Sequence, residues 1–184
     1  MRKVCMLSIL IAGRRGQSVS EITRVMVHAF SEQGYHARGI VSGEQNTANS
    51  IVHASIRVSK QPIPARDYMQ KADYVLLFEP ALSAEHVISE YVRKETACII
   101  NTAKKSIENG QTRPTFLVNA NEYVNKTPAL LGFAMLGAFI GATTRLSLKH
   151  ALDALESVYE PGQLSAKRVV EQMYEHVRKE VILS

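Results

Sequence analysis

The stretch Met6-Leu-Ser-Ile-Leu-Ile-Ala-Gly-Arg-Arg-Gly-Gln-Ser18 constrains the fold more than any other part of the chain. An apolar run of strand length breaks at a turn containing glycine and arginine and opens into a helical pattern. The spacing therefore predicts a first strand, a tight loop and the N-terminus of a first helix. The first turn of a helix leaves backbone N–H groups unpaired at the positive end of the helix dipole, so this junction favours an anion. Arg14 and Arg15 add two forked donors suited to phosphate. Gly13 and Gly16 permit positive φ and close approach to a ligand. The loop fails as a dinucleotide fingerprint, because Arg15 and Ser18 stand where G-x-G-x-x-G requires glycine. Ser18 is also followed three residues later by Glu21, a capping-box pattern that satisfies the free N–H groups without a ligand.

The 184 residues, 46% hydrophobic and 21% charged, describe one globular α/β domain spanning the whole chain, 1–184. The net charge of +5 suits an anionic partner such as a nucleotide or an acidic protein surface. The basic residues are spread out with no aromatic-basic cluster, so neither nucleic acid nor membrane is expected as a partner. Cys5 and Cys98, the only cysteines, exclude a cysteine-ligated iron–sulfur cluster or four-cysteine zinc site within this chain. Both read as buried small hydrophobes in a reducing, cytoplasmic protein. The basic start followed by an apolar run reads as a strand and not as an export signal, because Ser8 interrupts it and a glycine turn ends it. No nucleophile–base pair or metal constellation is visible, so no catalytic residue is expected here.

In chain order, Ile22, Val25, Met26, Ala29 and Phe30 follow helical spacing and Gly34 stops that helix. Residues 35–41 read as a second strand closing a strand–helix–strand unit. Arg38 stands there where a ribose-binding acid would serve NAD, which leaves NADP or coenzyme A as the compatible nucleotides. Residues 42–50 form a polar loop. Residues 51–59 alternate, with Val52, Ala54, Ile56 and Val58 on one face and His53, Ser55, Arg57 and Ser59 on the other, as in an antiparallel strand with one wet face. A helical turn is expected at 67–71 and a buried parallel strand at 74–78, with Glu79 at its carboxyl end. A helix capped by Ser83 follows over 83–93, then a buried strand at 97–100 with Asn101 and Thr102 at its end, a turn-rich stretch, and a short strand at 115–118.

The uncharged stretch 128–142, opened by Thr127-Pro128 and lined by Gly132, Gly137 and Gly141, is too short to span a membrane and reads as a buried or subunit-facing helix. Ser147 caps a helix carrying Leu148, Ala151, Leu152 and Leu155. Pro161-Gly162 then breaks the chain before a last helix over 165–182 with Val169, Val170, Met173, Tyr174, Val177 and Val181 at helical spacing. The alternation of strands and helices predicts a three-layer α/β/α domain with a mixed, mostly parallel sheet.

The segment Ile11-Ala-Gly-Arg-Arg-Gly-Gln-Ser18 resembles the G-x-G-G-Q-G loop that opens the gamma subunit of 2-oxoacid:ferredoxin oxidoreductases, also found as an internal domain of fused pyruvate:ferredoxin oxidoreductases. Ala54-Ser-Ile-Arg-Val-Ser-Lys-Gln-Pro-Ile63 is similar to the family's A-S-V-R-I-S-x-x-P-I, and 72–80 and 129–138 match in order. Arg15 and Ser18 replace two family glycines, and Ala48-Asn49-Ser50 stands where Arg-Gly-Gly usually precedes the second motif. The resemblance implies a complex that oxidatively decarboxylates a 2-oxoacid such as pyruvate or 2-oxoglutarate to acyl-CoA and reduces ferredoxin. It implies thiamine diphosphate, magnesium and iron–sulfur clusters on partner subunits of alpha, beta and delta type, with ferredoxin an indirect partner. For this chain it implies assembly and a hold on coenzyme A, with Gly13, Arg14, Arg15, Gly16, Gln17 and Ser18 as the phosphate-facing loop. A structural paralogue whose loop binds nothing, and an independent NADP-dependent oxidoreductase using Arg38, are the alternatives.

Overall fold

A computed structural model describes residues 6–43, 49–106, 114–124, 127–158 and 164–183. Cys5, most of the 42–50 loop, most of the turn-rich stretch before 114, Pro161-Gly162 and the side chains of Val181 and Ile182 lie outside the described residues.

Among the described residues six strands make one sheet in the order β2-β3-β1-β4-β5-β6: β1 (Leu7–Arg14), β2 (His36–Ser42), β3 (Ile51–Ser59), β4 (Tyr74–Leu77), β5 (Ala97–Asn101) and β6 (Thr115–Val118). β3 runs antiparallel to both β1 and β2, and β1, β4, β5 and β6 pair in parallel, so β3 alone is reversed. The expected strand–helix–strand unit is thereby modified. β2 follows the first helix but pairs only with β3, which inserts between β2 and β1 in the register Leu7↔Val58 to Arg14↔Ile51. The alternation of β3 explains its place: Val52, Ala54, Ile56 and Val58 enter the core while His53, Ser55 and Arg57 are only half-buried; Ser59, expected on the wet face, is buried, its hydroxyl accepting from Gln61 N–H.

The β1 residues sort the two faces of the sheet. Ile9 and Ile11 join the larger core with α1 (Val19–Glu32), α3 (Leu131–Thr143), α4 (Leu148–Val158) and α5 (Leu164–Leu183). Leu10 and Ala12 join a smaller core with Met69, Leu82, Ile88, Cys98 and Ile100. The result is the expected three layers, the second of them thin. α1 buries Ile22, Val25, Met26, Ala29 and Phe30, and Gly34 follows it at φ +82°. α3 is buried from Leu131 to Gly141, and its small residues meet this chain's own α5: a Cβ on Gly137 would lie 2.3 Å from Val170 O. Of the two readings for that helix, buried or subunit-facing, the structure gives the first.

Two expected helices are not formed. The segment 67–71 is an irregular strap, because tertiary bonds claim it: Arg57 pairs with Asp67 at 3.0 Å and donates to Tyr68 O, and Arg38 donates to the carbonyls of Pro64 and Ala65. Over 83–93 there is a 3₁₀ turn at Pro80–Ala84 and a single α-turn, α2 (His86–Ser89). In it only Leu82 and Ile88 are buried, too little apolar stripe to sustain a longer helix. Ser83 does not cap; its hydroxyl donates to Pro80 O.

Candidate functional site

β1 pairs with β3 on one side and β4 on the other, and the chain leaves β1 for the large-core face and β4 for the opposite face. This is a topological switch point, where the carboxyl ends of the strands open a crevice. The 13–18 loop fills its edge.

Gly13 is buried, and a Cβ there would come within 2.6 Å of Phe78 and 2.8 Å of Val19, so only glycine lets the turn start this close to β4 and α1. The turn closes with Gln17 N–H donating to Arg14 O at 3.1 Å and Arg14 N–H to Gln17 Oε1 at 2.7 Å. Gly16 sits at φ +85° and Ser18 at φ 62°. The capping-box expectation fails here. In the left-handed region Ser18 makes no side-chain cap; its hydroxyl donates to Ala129 O at 2.7 Å, tying the loop to the chain entering α3. Gly132 N–H donates to Gln17 O at 3.0 Å from the same side. The first intrahelical bond of α1 is Ile22 N–H to Ser18 O, and the N–H groups of Val19 and Glu21 stand ahead of it.

A cleft of about 430 Å³ opens on this terminus, lined by Arg14, Arg15, Gly16, Ser18, Glu21 and Ala129 among others. Four of the six expected loop residues, Arg14, Arg15, Gly16 and Ser18, thus line one cleft, while Gly13 and Gln17 work inside the loop. Arg15 is exposed, its N–H donating to Ser50 O at 3.1 Å and its guanidinium making no hydrogen bond among the described residues. Arg14 pairs at 2.9 Å with Glu79, just beyond the carboxyl end of the parallel neighbour β4, and Gln17 Nε2 donates to the other oxygen of Glu79 at 3.3 Å. Sequence reading placed Glu79 at this crevice without its partner; a register between β1 and β4 is needed to bring together residues so far apart in sequence.

Arg38 and the polar pair at the end of β5 serve structure. Arg38 is at the register of Arg57, which faces Ser8, six residues down β1 from Arg14; at 3.3 Å per residue that is about 20 Å from the loop. It cannot read a ribose phosphate bound there. Asn101 is buried, its amide donating to Phe78 O at 3.0 Å and its oxygen accepting from Ala120 N–H at 2.9 Å. Thr102 Oγ1 accepts from Lys104 N–H. Burial lowers the pKa of His53, which stands on β3 at the register of Ala12 on β1.

Together these features define a three-layer α/β/α domain with a phosphate-suited loop at the switch point of a mixed sheet. The family model for pyruvate ferredoxin/flavodoxin oxidoreductase matches residues 8–175. Pyruvate synthase subunit PorC of Methanocaldococcus jannaschii is 25% identical over 165 residues, covering 88% of this chain and 90% of that protein. The gamma subunit common to the pyruvate and ketoisovalerate oxidoreductases of Pyrococcus abyssi is 23% identical over 171 residues, with coverage of 88% and 92%. The pyruvate oxidoreductase PorC subunit of Thermotoga maritima superposes with a TM-score of 0.77 at 20% identity, covering 94% of this chain and 97% of that one. A 2-oxoglutarate:ferredoxin oxidoreductase from Magnetococcus marinus, solved with 2-oxoglutarate, coenzyme A and succinyl-CoA bound, superposes at 0.79 and 11% identity, covering 97% of this chain and 32% of that one. The chain belongs to the pyruvate ferredoxin/flavodoxin oxidoreductase family, as a gamma-type subunit.

Proposed function

We propose that this gamma subunit works in a cytoplasmic complex that oxidatively decarboxylates a 2-oxoacid, such as pyruvate or 2-oxoglutarate, to acyl-CoA and passes the electrons to ferredoxin. Thiamine diphosphate, magnesium and iron–sulfur clusters belong on the alpha-, beta- and delta-type partners, and the chemistry with them. This chain contributes assembly and a grip on coenzyme A, not a catalytic residue. The observation that carries the reading is the convergence of Arg14, Arg15 and the α1 N-terminus on one cleft at the switch point. The donor set fits the group: forked guanidinium and backbone N–H donors are what phosphate oxygens accept.

The test is anaerobic purification of the tagged chain from its source organism. Co-purifying thiamine-diphosphate and iron–sulfur subunits, with coenzyme A-dependent oxidation of one member of a 2-oxoacid panel, supports the reading and names the substrate. In that complex, Arg14→Ala with Arg15→Ala raises the KM for coenzyme A at least tenfold while kcat is retained. Recovery of the chain alone overturns it.

A second reading, a structural paralogue whose loop binds nothing, is favoured by the closure of the loop from within by Glu79 and Gln17. Absence of coenzyme A binding by an assembled, active complex carrying this chain would select it.

A further inference from the structure

Glu79 holds the Arg14 and Gln17 side chains of the loop yet does not line the cleft. Its Oε2 accepts from Arg14 Nε at 2.9 Å and its Oε1 accepts from Gln17 Nε2 at 3.3 Å. A carboxylate only accepts, so it fixes which way the Gln17 amide points, and the Gln17 oxygen is then the one that meets Arg14 N–H. Arg14 Nη1 donates to Asn49 O at 3.0 Å. With Nε and one Nη1 hydrogen engaged, the Nη2 edge makes no hydrogen bond among the described residues, and Arg14 itself lines the cleft. The pair is about one-third exposed on each side, near enough to solvent to exchange partners.

The charges around the cleft compensate one another. Arg14 is offset by Glu79, and the exposed Arg15 shares the lining with Glu21. Recognition there rests on the direction of hydrogen bonds more than on net positive potential. We propose, building on the coenzyme A reading above, that Glu79 is a specificity-determining residue. By keeping Arg14 as an oriented, charge-compensated donor, it favours an extended ligand with phosphodiester-type, singly charged phosphates over a small, highly charged free anion. Glu79→Gln removes the compensating charge. It also puts an amide donor where Gln17 or Arg14 needs an acceptor, so the loop loses orientation and gains bare charge together.

The experiment is a calorimetric titration of the full chain with coenzyme A and, separately, inorganic pyrophosphate, at low and high salt. The wild type is expected to prefer coenzyme A. E79Q is expected to bind coenzyme A about tenfold more weakly, the scale of one lost charge-assisted hydrogen bond. It binds pyrophosphate severalfold more tightly, with a steeper salt dependence. E79D, which keeps the carboxylate, retains the wild-type order. A parallel fall in both affinities, or no change in either, overturns the role of Glu79 while leaving the coenzyme A reading intact. A wild type that binds neither ligand overturns the coenzyme A reading. In that event a gain of pyrophosphate binding in E79Q supports the role of Glu79, and no gain overturns it.

Discussion

Replacing Gly137 by alanine probes the seam on which the large core depends. The added Cβ would lie 2.3 Å from Val170 O and 3.1 Å from both Val170 C and Met173 Cβ. The closest partner is backbone, so no rotamer change relieves the overlap; α3 and α5 must part until the 2.3 Å separation reaches at least 3.0 Å. Overpacking of this kind costs about 1–3 kcal/mol, and the gain in helix propensity on replacing glycine by alanine offsets about 1 kcal/mol. With α3 buried throughout, the upper part of the range applies, for a net loss of about 2 kcal/mol. For a chain of this size that lowers Tm by about 4–8 °C. Urea unfolding followed by far-UV circular dichroism measures it. Gly141→Ala is the control: its nearest contacts, Tyr174 O, Val177 Cβ and Val177 Cγ1, are already 3.0–3.1 Å away, so a far smaller adjustment suffices and the two terms nearly cancel. If Gly137→Ala is neutral or stabilises by the propensity gain alone, the close α3–α5 approach does not determine the stability of this seam.

Gly132→Ala would press a Cβ to 2.7 Å from Gln17 O and 2.8 Å from Ser18 O; a coenzyme A titration should show a loss of affinity larger than the change in Tm implies. Asn101→Leu keeps volume but strips partners from the buried Phe78 carbonyl and Ala120 N–H, costing about 2–6 kcal/mol by denaturant titration, at about 1–3 kcal/mol for each orphaned group. Burial lowers the pKa of His53 below its ordinary 6.5. The unfolded chain therefore takes up that proton first as pH falls, so the contribution is full above pH 6.5 and is lost as pH falls through the lower folded-state value. His53→Gln should flatten the stability–pH curve below pH 6.5, measured by thermal melts from pH 8 to 5.

Local pattern was sufficient wherever burial follows the chain's own period. The alternation of 51–59 gave an antiparallel strand with the correct core face, the spacing of α1 gave its buried stripe, and the absence of charge over 128–142 gave a buried helix. At the loop, the sequence determined the strand–turn–helix junction, the glycine at 13 and the two arginines. It also suggested capping by Ser18, which local pattern supports and the left-handed backbone at 62° denies.

The tertiary structure decided what depends on register between distant segments. It slid β3 between β2 and β1, which carried Arg38 away from the crevice. It used Arg57 and Arg38 to hold 64–68 as a strap, so the helical turn expected at 67–71 does not form. It set Glu79, 65 positions from Arg14, within hydrogen-bond distance of it. Periodicity reports which side of an element meets the core, because apolar burial is nearly non-directional. Which polar groups meet is fixed by strand order and register, and a directional contact of about 3 Å between separate strands leaves no periodic trace in the chain.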